Sequence, residues 1–82
     1  MTVDEVCRLV REHSLRRPYE VEFVRLGGGW AIRAYFYDIV QDYRATAEGK
    51  MEDVRDGFPS WPPSRAVVTR GRCGLVARRV QP

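Results

Sequence analysis

The chain has 82 residues, 44% of them hydrophobic and 30% charged, with a formal net charge of +3. That length supports one small core and argues against two domains, while three Phe, two Trp and four Tyr spread along the chain argue against disorder. No apolar run approaches the roughly 20 residues that a membrane helix needs, and Met1-Thr2-Val3-Asp4-Glu5 lacks the basic-then-apolar order of a signal peptide.

The N-terminus opens with a helix signal. Thr2 followed by Glu5 has capping-box spacing, and Val3, Val6, Cys7 and Val10 recur at three and four residues, leaving Arg8, Arg11 and Glu12 outside the apolar stripe. The helix is expected to end near Ser14, ahead of Pro18, because a residue before proline avoids the α region.

From Tyr19 the period changes to two. Tyr19, Val21 and Phe23 alternate with Glu20 and Glu22, and a second run from Trp30 to Tyr37 puts Trp30, Ile32, Ala34 and Phe36 on one face. Gly27-Gly28-Gly29 between them predicts a hairpin turn. The glycines open no helix, so they do not form a dinucleotide or P-loop fingerprint.

Residues 38–56 carry two readings. Asp38 with Gln41 is a second capping pair, and Val40, Tyr43, Ala47, Met51 and Val54 step by three or four, which predicts a helix. Gly49 and the acids Glu52, Asp53 and Asp56 weigh against it, and the alternative is a long bent strand turning at Glu48-Gly49-Lys50. Gly57 through Pro63 contains three prolines and reads as an ordered loop. Runs 65–69 and 75–80 flank Gly71-Arg72-Cys73-Gly74 and predict a second hairpin.

These elements give a single α+β domain over residues 1–82, in the order α-β-β-α-β-β. The expected architecture is an antiparallel four-stranded sheet with its helices on one face.

Cys7 and Cys73 lie near opposite ends, with no C-x-x-C spacing and His13 as the sole histidine, which argues against a zinc site. We expect no metal and no cofactor. Without a secretory leader or a disulfide framework the chain reads as a cytoplasmic protein with reduced thiols. Cys7 then sits inert on the core stripe, while Cys73 in an Arg-rich turn is the one candidate reactive thiol.

Charge placement carries the functional expectation. Residues 58–82 hold Arg65, Arg70, Arg72, Arg78 and Arg79 and no acid, whereas residues 38–57 hold six acids against three bases. Thirteen of the fourteen basic residues are arginine, a bias that coding composition alone can produce, although guanidinium is also suited to bidentate contact with phosphate. The first expectation is a non-enzymatic binding module that engages nucleic acid through an Arg-rich C-terminal hairpin. The bland counterpart is that these arginines pair with the acidic middle segment.

The alternative is a protein-interaction module, a small regulator, inhibitor or accessory subunit, using Phe58 and Trp61 together with the acidic segment. Its bland counterpart has Trp61 folding back over the core. A small metal-independent ribonuclease relying on His13 or a tyrosine is a third reading. A membrane partner is not expected, and the small core is compatible with a homo-oligomer.

Overall fold

The computed structural model describes residues 1–74. Helix α1 spans Val3–Ser14. The Thr2 hydroxyl accepts the Glu5 amide proton at 3.2 Å, and Glu5 Oε1 accepts the Thr2 amide proton at 2.7 Å, which satisfies two of the amides that a helix start leaves unpaired. Leu15 ends the helix in the left-handed conformation, φ 61°, and its N–H donates to the Arg11 carbonyl.

Five strands follow: β1 (Glu20–Leu26), β2 (Gly29–Tyr35), β3 (Val40–Thr46), β4 (Met51–Val54) and β5 (Thr69–Arg72). They form one antiparallel sheet in the order β4-β3-β2-β1-β5. The expected β1–β2 hairpin is present, with Leu26 paired to Gly29 and Gly27 at φ 59°. Gly29 is required for packing: a Cβ there would lie 2.3 Å from the Ala45 carbonyl oxygen.

The second helix is corrected to a strand pair, the alternative reading of 38–56. Tyr43 and Ala45 point to the core while Asp42 and Arg44 point away, and β3 turns into β4 through Gly49 at φ 91°. The helical spacing misleads because Asp42 is 6% exposed despite its charge. Its burial is made possible by Arg33, its direct cross-strand partner, and a local pattern contains no trace of that partner. The sheet therefore has five described strands rather than four, and one helix, not two, packs on it among the described residues.

The second hairpin is also revised. Gly71 and Arg72, placed in its turn, belong to β5, which pairs with β1. Its expected return strand, 75–80, lies outside the described residues.

The core lies between α1 and the sheet. Val6 and Val10 meet Val21, Phe23, Ile32, Ala34, Tyr43 and Ala45, all at most 4% exposed. Burying these apolar side chains is the main favourable term for the fold, about 1.5–3 kcal/mol for each large one.

The thiol reading is corrected as well. Cys7 and Cys73 form a disulfide, Cα to Cα 5.6 Å. Local geometry explains how they meet. Val3 and Cys7 are one helical turn apart, Cys73 lies just past the end of β5, two residues after Gly71, and Val3 packs so closely on Gly71 that a Cβ there would lie 2.7 Å from a Val3 methyl. A larger residue at 71 would hold the strand away from the helix.

Because β4 and β5 are opposite edges, the connection from Arg55 to Val68 has to span the sheet, about 19 Å at the usual strand spacing. It does so on the face away from α1. Trp61 stacks over Arg33 of β2, 5.0 Å from the guanidinium carbon, and its indole N–H donates to Glu22 of β1.

Candidate functional site

Of the C-terminal arginines, Arg70 is held by carboxylates among the described residues. Arg70 on β5 hydrogen-bonds Glu20 through Nε and lies 3.8 Å from Glu22 through an outer nitrogen. Its partners come from β1, directly across the ladder, and not from the acidic middle segment. The Glu20 hydrogen bond holds the Arg70 guanidinium protonated even above its ordinary range. Arg65 and Arg72 are exposed and belong to no ion pair among the described residues. Arg78 and Arg79 lie outside the described residues.

Phe58 and Trp61 pack on each other, ring centroids 5.6 Å apart, and both are half-buried against the sheet. Around them lies a connected polar layer. Arg33 donates to both oxygens of Asp42, at 2.7 and 3.0 Å, and Glu22 accepts from both the Tyr35 hydroxyl, at 2.5 Å, and the Trp61 indole, at 3.2 Å. Burial, then the hydrogen bond to Glu22, pushes the Tyr35 hydroxyl up to about 12. Arg33, Asp42 and Glu22 each have a partner, as buried polar groups require. The layer holds the connection to the sheet.

His13 clamps the end of α1 to β4. Its Nε2 lies 2.6 Å from Asp53 Oδ1, and its ring stands edge-on to Tyr43. A His–Asp pair is half of a general-base arrangement, but the adjacent Ser14 hydroxyl donates to the Val10 carbonyl, and both cysteines are in the disulfide. Among the described residues no group of three or more His, Cys, Asp or Glu side chains is placed to hold a metal ion, and no helix is long and apolar enough to cross a membrane.

Three exposed arginines gather elsewhere. A groove of about 180 Å³ runs between α1 and the start of β1, lined by Arg8, Arg11, Arg17, Asp4 and the Cys7–Cys73 disulfide. Arg8, Arg11 and Arg17 are exposed and take part in no ion pair among the described residues. Arg8 and Arg11 reach the groove because residues three apart share a helix face; Arg17 reaches it because Pro18, buried, anchors the chain beside α1. One carboxylate among three guanidinium groups leaves the groove positive, which suits an anion bound by bidentate contacts. The sequence carried part of this signal in the spacing of Arg8 and Arg11, but nothing in it joined them to Arg17 and Cys73.

The same end of the molecule presents aromatic rings. Tyr37 is fully exposed at the β2–β3 turn, Tyr19 is 50% exposed, and their centroids are 6.1 Å apart. Ile39 and Val40 extend the patch. The Tyr19 carbonyl accepts the Cys73 N–H at 3.0 Å, and Glu20 faces Arg72 in register, so the Tyr19 backbone lies beside the end of β5. Comparison with protein-family models, with curated proteins and with solved structures returns no match to this chain.

Proposed function

We propose that this is a non-enzymatic binding module whose partner is a nucleic acid, engaged by the arginine surface around the disulfide. The observation that carries the reading is the convergence of Arg8, Arg11 and Arg17 on one groove, with no ion pair holding any of them among the described residues. Arginines with a structural task elsewhere are visibly held: Arg33 by Asp42, Arg70 by Glu20 and Arg16 by Asp38. Arg65 and Arg72 of the C-terminal set are exposed without an ion pair among the described residues, and the groove adds Arg8, Arg11 and Arg17 to the candidates. A phosphate backbone supplies the repeated anions that such a surface neutralises, with release of counterions.

The test is fluorescence anisotropy of labelled DNA and RNA over a series of salt concentrations. Affinity should fall linearly in log salt, and Arg8→Gln with Arg11→Gln should weaken binding and flatten that slope by about one for each phosphate no longer neutralised. Absence of binding at low salt would reject the reading.

A second reading, a protein-interaction module, is supported by the exposed apolar patch of Tyr37, Ile39 and Val40; Phe58 and Trp61, packed against the sheet, are less available to a partner. Ile39→Asp separates the two, since it should disrupt a protein interface and leave phosphate binding unchanged.

A further inference from the structure

We infer that the nucleic acid bound here is single-stranded, with Tyr37 and Tyr19 forming a stacking platform for its bases; this rests on the reading just proposed. Tyr37 is 100% exposed and Tyr19 is 50% exposed, so neither ring completes the core. Both are nevertheless held on rigid supports. The turn carrying Tyr37 is closed by the Phe36 N–H to Ile39 carbonyl hydrogen bond and by the Arg16–Asp38 pair at 2.5 Å, with Arg16 lying over the buried Phe36 ring. Tyr19 follows the buried Pro18, and its backbone bonds both Tyr35 and Cys73. Its ring centroid is 6.1 Å from that of Tyr37 and 6.3 Å from that of Tyr35.

Fixed aromatic faces beside free guanidinium groups match the two needs of a single strand, stacking for bases and charge for the backbone. In a duplex the base faces are already stacked on one another and offer nothing to these rings. Arg17 lies two residues before Tyr19, and Arg72 pairs in register with Glu20, the residue after it. A strand whose bases meet Tyr19 would have Arg17, two residues away along the chain, to meet its phosphates.

The experiment compares oligo(dT), oligo(U) and a duplex of matched length by anisotropy, with the unmodified protein and with Tyr37→Ala, Tyr19→Ala and Tyr37→Phe. Single strands should bind more tightly than duplex. Each alanine variant should weaken single-strand binding by roughly ten-fold without changing the salt slope, and Tyr37→Phe should retain it. Equal affinity for duplex and single strand, unaffected by either alanine, would overturn the stacking platform while leaving the arginine surface in place. Failure of every oligonucleotide to bind would overturn both.

Discussion

The two faces of the sheet are built on opposite principles. Toward α1, Val21, Phe23, Ile32 and Tyr43 pack against Val6 and Val10 in an apolar layer closed at one end by the Cys7–Cys73 disulfide. On the other face, Glu20, Glu22, Arg33, Asp42 and Arg70 form a layer of paired charges overlain by the proline-rich connection. The apolar face gains free energy by removing surface from water without regard to direction. The polar face gains little net stability from each pair, but a missing member leaves a partner stranded, so it specifies geometry more than it stabilises.

Three experiments would break or sharpen this contrast. The largest effect should come from the disulfide. It closes a loop with a sequence separation of 66, so reduction, or Cys7→Ala with Cys73→Ala, should cost about 4 kcal/mol and lower the melting temperature by more than about 15 °C. Circular dichroism melts with and without reductant measure it. An unchanged melting temperature would mean that the apolar layer holds α1 and β5 together unaided.

Next come single substitutions on each face. Ile32→Ala should cost about 3 kcal/mol through the cavity it leaves, and Asp42→Ala a similar amount by stranding the half-buried Arg33. The contrast lies in the rescue. Replacing Arg33 and Asp42 together by leucine should bring stability back to within about 1 kcal/mol of the original, as followed by denaturant unfolding, whereas no second change of charge restores Ile32→Ala. A double variant as unstable as Asp42→Ala would show that the polar layer contributes far more than specificity.

The smallest effect concerns alkaline pH. The folded Tyr35 hydroxyl, at about 12, stands above its ordinary value of 10, so the fold favours the protonated form. That contribution is complete below about pH 10 and is lost as pH rises through about 12. Melting temperature followed across that window should fall more steeply for the unmodified protein than for Tyr35→Phe. Burial also raises Tyr43, but that residue is common to both proteins and leaves the difference to Tyr35. Parallel curves would place the Tyr35–Glu22 bond outside the stabilising network.

Much of the first half was legible because its signals are local. The Thr2–Glu5 capping box, the stripe of Val3, Val6 and Val10, the alternation through Phe23 and the glycine turn each depend on residues within a few positions of one another, and each appears where it was expected. The sequence by itself therefore determined α1, the β1–β2 hairpin and the class of fold. Tertiary structure alone decided the rest. The choice of strand over helix after Asp38 depended on Arg33 reaching Asp42 across the ladder. Cys7 and Cys73 were brought together by the pairing of β5 with β1. The candidate site shifted for the same reason, since β5 gave Arg70 to Glu20 while Arg8 and Arg11 on the helix have no ion pair among the described residues. A charge is available to a ligand only if no nearer carboxylate holds it, and which carboxylate is nearest is set by strand order, a long-range property with no local period in the chain.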